Sequence, residues 1–347
     1  LKFHAGYQVT VPLKELAGSE NVLNVVFRVA PQNDLDDPIY FAQNLRVPPI
    51  DEEAKGDAYL QGVFDIGEGS YHIDWLMRDR TERVCSSSWD SDAALASKDR
   101  LISLAIPPHA IQRTDFDQFK EEPPMEHGAS EAPLTITPLN IKVLVNFAPQ
   151  NSLSATLQPL DTSALVSILR TISRDPRIGK FSVVAFNMQE QKVIYRQEGV
   201  SRINFPALGS ALTSLNLGTV NLKRLGDKHG ETDFLTGLVL KEMMPEPGDH
   251  PDAVVFAGPK SLLDANPPEE TLIKDASAVD YPVFYMNYNL NPQAVPWKDA
   301  ISHTVHFFRG YEYTITRPRD LWFAVSEMVS KIVKSRNERT TSSISSQ

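Results

Sequence analysis

Between positions 71 and 77 the chain alternates: Tyr71, Ile73, Trp75 and Met77 fall on one side, His72, Asp74 and Leu76 on the other. Period two is the mark of a strand with one buried face. Comparable short runs lie at 22–29, 39–43, 58–65, 83–89 and 100–106, with a turn at Gly67-Glu68-Gly69. Even spacing of such strands predicts an all-β sandwich over residues 1–107.

From about residue 137 the period changes. Ile141-Lys142-Val143-Leu144-Val145 reads as a buried parallel strand. Asp161-Thr162-Ser163 opens a helix whose apolar positions Leu165, Ile168, Leu169 and Ile172 keep helical spacing up to Asp175-Pro176. A hairpin is predicted from strands at 180–187 and 192–197. Helices follow at 207–215 and 232–244, then strands at 253–257, 282–287 and 303–308. A closing helix at 318–336 buries Leu321, Val325, Met328, Val329 and Ile332. The pattern predicts a multi-domain chain: an N-terminal all-β sandwich, then an α/β, Rossmann-like, doubly wound sheet over 137–337. An acidic, Pro-containing linker is expected at 108–136, and a disordered Ser-rich tail at 338–347.

The chain of 347 residues carries net charge −10, held mainly in the first part. Residues 1–136 contain 23 Asp/Glu against 12 Lys/Arg, and the remainder 21 against 22. That leaves no basic footprint for nucleic acid. No apolar run is long enough for a membrane helix. Starting at Leu1 rather than Met, the chain is expected to be a processed form. Cys85 is the single cysteine, in a strand-like run, and is expected to be buried or inert.

Candidate chemistry is sparse. No Gly-x-Ser-x-Gly elbow, Walker loop or Gly-x-Gly-x-x-Gly occurs, so no catalytic residue and no cofactor is expected. His303 and His306, three apart in a predicted strand, would point to opposite faces. In open α/β sheets ligands bind beyond the carboxyl ends of the strands. There the chain reads Asn146-Phe147-Ala148-Pro149-Gln150-Asn151, with neither carboxylate nor glycine. Tyr288, Asn289 and Asn291 follow a later strand and complete a candidate neutral, amide-rich ligand face with Asn146, Gln150 and Asn151.

Two resemblances sharpen this. Gly69-Ser70-Tyr71-His72-Ile73-Asp74-Trp75 resembles a late strand of immunoglobulin-like or fibronectin-type modules, in which an aromatic pins the sandwich corner. The element order over 137–337, the 181–197 hairpin, Gly230-Glu231-Thr232-Asp233-Phe234-Leu235-Thr236 and the 251–258 segment resemble a von Willebrand factor A domain. The pairing of the two halves resembles von Willebrand A-related proteins of acidobacterial type. Members of that family commonly hold a divalent metal through Asp-x-Ser-x-Ser, a threonine and a late aspartate. Here Asn146 stands at the first aspartate, Ala148 and Gln150 at the serines, Thr232 at the threonine and Gly258 at the late aspartate. With both anions gone, a hard cation lacks its preferred ligands, and the resemblance implies a degenerate, metal-free face with Asp233 its one nearby anion. The expected role is non-enzymatic protein binding outside the cytoplasm, in the periplasm or as a secreted protein. The alternatives are a hydrolase with an unrecognised site, or a structural component of an envelope assembly. The expected partner is a protein, with no nucleic acid and no membrane insertion.

Overall fold

The computed structural model describes residues 2–100, 102, 104–115, 117–121, 137–149, 157, 159–215, 230–243, 250–260, 273–274, 279–289 and 299–345. The chain divides into two compact units, Leu1–Phe116 and Asp117–Gln347.

The first unit is built from two antiparallel sheets. β1 (Phe3–Pro12), β4 (Asp57–Ile66) and β7 (Ile111–Arg113) form one, in the order β1-β4-β7. β2 (Asn21–Pro31), β3 (Ile39–Val47), β5 (Gly69–Arg78) and β6 (Val84–Ala93) form the other, in the order β3-β2-β5-β6. A single turn of helix, α1 (Leu13–Leu16), follows β1. Phe27, Tyr71, Ile73 and Trp75 from one sheet share a core with Phe64, Ile66 and Ile111 from the other. The alternation that predicted β5 is the alternation that buries it. The Tyr71 hydroxyl donates to the Gly67 carbonyl at 2.9 Å, pinning the chain four residues upstream. The turn between β5 and β6 is held by buried Asp79, which accepts from the Thr81 and Arg83 backbone amides at 2.8 and 2.9 Å and from Arg83 Nε at 2.7 Å.

Three local expectations change here. β1 has a clear period-two pattern, Phe3-x-Ala5-x-Tyr7-x-Val9-x-Val11, that the sequence reading left unassigned. The described residues between 100 and 106 form no strand. The next pairing waits for β7, beyond Pro107-Pro108, whose nitrogens cannot donate to a ladder. Cys85 is exposed, not buried, because β6 is the last strand of its sheet.

The second unit carries one six-stranded sheet. Its strands are β8 (Leu139–Asn146), β9 (Ile178–Asn187), β10 (Lys192–Val200), β11 (Ala253–Pro259), β12 (Val283–Tyr288) and β13 (Tyr311–Ile315), in the order β10-β9-β8-β11-β12-β13. Its helices among the described residues include α2 (Pro159–Ser173), α3 (Phe205–Leu212), α4 (Gly230–Met243), α5 (Ala300–Phe307) and α6 (Pro318–Ser345). One face packs on α2, α3 and α6 through Leu165, Leu169, Leu208, Val325 and Met328. The other packs on α4 and α5 through Leu235, Val239, Ile301 and Val305.

The fold class expected from the sequence is corrected by these sheets. Among the described residues the chain is dominated by β-structure, thirteen strands in three sheets, and six of its ten strand pairings are antiparallel. The last sheet is mixed, not the Rossmann-like doubly wound sheet that was expected. A tight turn at 188–191, with Gln191 at φ +48°, folds β10 straight back against β9. A parallel neighbour would have required a crossover of a dozen residues or more.

Two further segments differ. The predicted strand at 303–308 is helix α5: Asp299 caps it by accepting from the Ser302 amide at 2.7 Å, and this capped turn outweighs the β-branched residues within. His303 and His306 therefore lie on a helix, and His306 Nδ1 sits 2.9 Å from the Ser302 carbonyl. Helix α6 runs on to Ser345, past the point where the sequence predicted a disordered tail.

Candidate functional site

The carboxyl ends of β8, β9, β11 and β12 gather at one edge of the mixed sheet. Three of these apolar strands run into an asparagine: Asn146 on β8, Asn187 on β9 and Asn287 on β12, all fully buried. The fourth, β11, has Gly258 at the corresponding level. Val145 pairs with Ala257, and Gly258 pairs with Asn287. Asn146, Gly258 and Asn287 therefore form one row across three strands.

The glycine is required. A Cβ on Gly258 would lie 2.9 Å from the Asn146 Cβ, closer than real side chains come. The flanking amides are turned outwards by their partners. Asn146 Oδ1 accepts from the Met188 amide at 3.2 Å, on the β9 side. Asn287 Nδ2 donates to Glu312 Oε1 at 3.0 Å, on the β13 side. That leaves Asn146 Nδ2 and Asn287 Oδ1 as the second polar atom of each amide. Both atoms are buried without a hydrogen-bond partner. One unsatisfied donor and one unsatisfied acceptor thus sit on the strands either side of Gly258. Asn187 is spent on the backbone, donating to the Phe147 carbonyl at 2.5 Å and accepting from the Glu190 amide at 2.7 Å.

Three carboxylates around this edge have described partners. Asp161, in the first turn of α2, accepts from the Tyr288 hydroxyl at 3.1 Å. Burial, then the neighbouring Asp161 charge, pushes the Tyr288 phenol far above its ordinary range, so it stays a donor. Asp299 accepts from the Tyr285 hydroxyl at 3.1 Å and caps α5. Burial raises its pKa against the pull of those hydrogen bonds. Glu312 pairs with Lys260 at 2.5 Å.

The expected ligand-face residues are placed as follows. Asn146 and Gly258 are brought together. Tyr288 is buried, its side chain turned to Asp161; Asn289 is buried, its backbone amide donating to the Ile315 carbonyl at 2.9 Å. Thr232 is half-buried and Asp233 exposed, both in the first turn of α4. That turn reaches the same corner, because Phe234 packs on Phe186, the β9 partner of Asn146. Gln150, Asn151 and Asn291 lie outside the described residues. Among the described residues no group of three or more His, Cys, Asp or Glu side chains is arranged to hold a metal ion, and no helix is long and apolar enough to cross a membrane.

Asn187, Asn287 and Asp161 were not among the residues expected to form the site. A signal for the first two was present: three apolar runs, ending Val145-Asn146, Phe186-Asn187 and Met286-Asn287, share the same terminal residue. Asp161 was read only as a helix cap, and nothing local shows that Tyr288 reaches it from 127 residues away.

No family model matches the chain, and no curated protein matches it. Among solved structures, the conserved hypothetical protein BatB from Bacteroides thetaiotaomicron is 12% identical with a TM-score of 0.35, over 56% of this chain and 99% of that one. The PilB minor pilin from Streptococcus sanguinis is 11% identical with a TM-score of 0.31, over 89% of this chain and 87% of that one. Likeness this distant carries no argument about fold or function.

Proposed function

We propose that the second unit binds a protein partner at the carboxyl edge of its mixed sheet, without a metal ion and without catalysis. One observation carries the reading: the row at the centre of that edge is Asn146, Gly258 and Asn287, all neutral, while Asp161, Asp299 and Glu312 around it are each engaged by a tyrosine, a helix amide or a lysine. A divalent cation prefers free anionic oxygens. The rim supplies apolar contact area instead. Leu160, in the first turn of α2, is 68% exposed and Phe323, in the second turn of α6, is 44% exposed, and large exposed apolar side chains suit a protein surface. Kinship with von Willebrand factor A domains belongs to this reading, as does a place outside the cytoplasm, which cell fractionation tests.

The first test is calorimetric titration with Mg²⁺, Mn²⁺ and Ca²⁺, with thermal unfolding alongside. The expected result is no heat of binding and no shift in Tm. A metal held at a hundred times its Kd would stabilise the fold by about 2.7 kcal/mol, and that outcome ends the metal-free reading. The second test is crosslinking in cell extract with chelator present. Partner capture is expected to survive chelation and to be lost in Leu160→Asp and Phe323→Asp. Capture that needs the cation, or that ignores both variants, overturns the proposal.

A further inference from the structure

We propose that His72 is a pH-sensitive latch: protonated, it holds the acidic loop 32–38, between β2 and β3, on the outer face of the four-stranded sheet, and neutral, it lets that loop go. A relay of hydrogen bonds that begins and ends on this one loop carries the inference. The Leu35 carbonyl accepts from Arg28 Nη2 at 2.6 Å. Arg28 Nη1 donates to Asp74 Oδ2 at 3.0 Å. Asp74 Oδ1 lies 3.2 Å from His72 Nε2, and Asp90 Oδ1 lies 2.7 Å from His72 Nδ1. Asp90 is hydrogen-bonded in turn by Gln32, at the start of the same loop.

Strand register builds this relay. Arg28 of β2 stands opposite Asp74 of β5, and His72 of β5 opposite Asp90 of β6. His72 and Asp74 alternate with Tyr71, Ile73 and Trp75, which fill the core, so the relay runs across the other face of the sheet.

Arginine and aspartate keep their charges through the neutral range, whereas histidine titrates within it. An ionised carboxylate only accepts, so both ring nitrogens of His72 must carry protons for both contacts to be hydrogen bonds. Loss of one proton sets a nitrogen lone pair against a carboxylate oxygen, and the relay parts at its middle. The charges around it then favour separation. Asp74 on β5, with Asp90 and Asp92 on β6, is left near a loop that carries Asp34, Asp36 and Asp37 and no lysine or arginine, with Arg28 of β2 as the cation remaining in the relay. Arg78, six residues further along β5, is taken up by Glu82 at 3.2 Å.

The hydrogen bond to Asp90 lifts the His72 pKa above its usual value of about 6.5, against a smaller opposing effect of burial and with help from the Asp74 charge. The relay is therefore complete below about pH 6.5 and is lost as pH rises through the raised value. The side chains of His72, Asp74 and Asp90 are 34%, 46% and 64% exposed. Pairs so exposed add little to global stability, so the property to measure is the mobility of the loop rather than Tm.

The experiment places a nitroxide on exposed Asn33, as Asn33→Cys in the full chain with Cys85→Ser, and follows its mobility from about pH 5.5 to about pH 9. The His72 ring resonance is titrated alongside, and circular dichroism confirms that each variant is folded. The expected result is slow motion at low pH that gives way to fast motion, with a midpoint at the His72 pKa and above the usual histidine value. His72→Gln should abolish the pH dependence. Asp90→Asn should move the ring pKa and the mobility midpoint down together. A loop equally mobile across the range overturns the proposal. So does a midpoint that departs from the His72 pKa, or a pH response that survives His72→Gln.

Discussion

The Tyr288 hydroxyl, at the end of β12, donates to the Asp161 carboxylate in the first turn of α2 at 3.1 Å, and both residues are buried. The bond joins one of the latest strands of the sheet to its earliest helix. It also sets the Asp161 charge within the protein, facing a phenol rather than a ligand. Tyr288→Phe keeps the ring and removes the donor, leaving a buried carboxylate short of one bond. The expected loss is about 1–3 kcal/mol of unfolding free energy, measured by urea denaturation, with Asp161→Asn costing less because its amide oxygen can still accept from the tyrosine.

Gly258 and Asn146 should behave as a coupled pair. Gly258→Ala forces its new methyl to within 2.9 Å of the Asn146 Cβ, and overpacking of this kind costs about 1–3 kcal/mol. Asn146→Gly removes the obstacle. In a double-mutant cycle the Gly258→Ala change should be markedly better tolerated in the Asn146→Gly background than beside the native asparagine. Equal costs in both backgrounds would mean that the contact is not what requires the glycine.

The buried Glu242 in α4 receives Arg196 from β10 through two bonds, at 2.5 and 3.1 Å, with Lys142 at 3.9 Å. Removing the arginine leaves a carboxylate with 3% side-chain exposure and only the more distant lysine. Arg196→Ala should destabilise the second unit by about 3 kcal/mol, whereas Arg196→Ala with Glu242→Leu should recover much of that. Chemical denaturation of the three chains reads both.

Asp79 gives the first unit an acid sensitivity of known sign. Burial alone would raise its pKa, but hydrogen bonds from Thr81 and Arg83 outweigh burial and hold it at about 2. A carboxylate whose pKa is depressed on folding stabilises above its unfolded value, near 3.9, and loses that contribution as pH falls through the folded value. Stability should therefore decline between about pH 4 and pH 2, and Asp79→Asn should flatten that part of the profile. An unchanged slope in the variant would assign the decline to other carboxylates.

How far the sequence foretold this molecule depended on how local each signal was. Strand β5 was legible because Tyr71, Ile73, Trp75 and Met77 alternate within seven residues. The hairpin of β9 and β10 was legible because its turn sits between two apolar runs. The mixed character of the sheet followed from that hairpin, yet was lost when the strands and helices were read as a uniformly wound sheet. Helix α5 was misread because His303, Val305 and Phe307 alternate like a strand, while the deciding signal, the Asp299 cap, lies upstream. At the candidate site, Asn146 was singled out by its place at a strand end and Gly258 by its match to the late aspartate of the resemblance. Their contact, and the role of Asn287 as third member of the row, come from strand order, which no stretch of sequence states.

Arg336, in the second half of α6, donates to the Thr137 and Pro138 carbonyls, just ahead of β8, and lies 3.5 Å from Asp252. Arg339, one turn on, reaches Asp252 and Asp280 at 3.6 and 3.5 Å. The first strand of this unit is thereby fastened by a helix 199 residues later. During synthesis β8 must wait, its neighbours arriving one by one, until residue 336 has left the ribosome. Until then the part of the sheet face that Val325 and Met328 cover stays open.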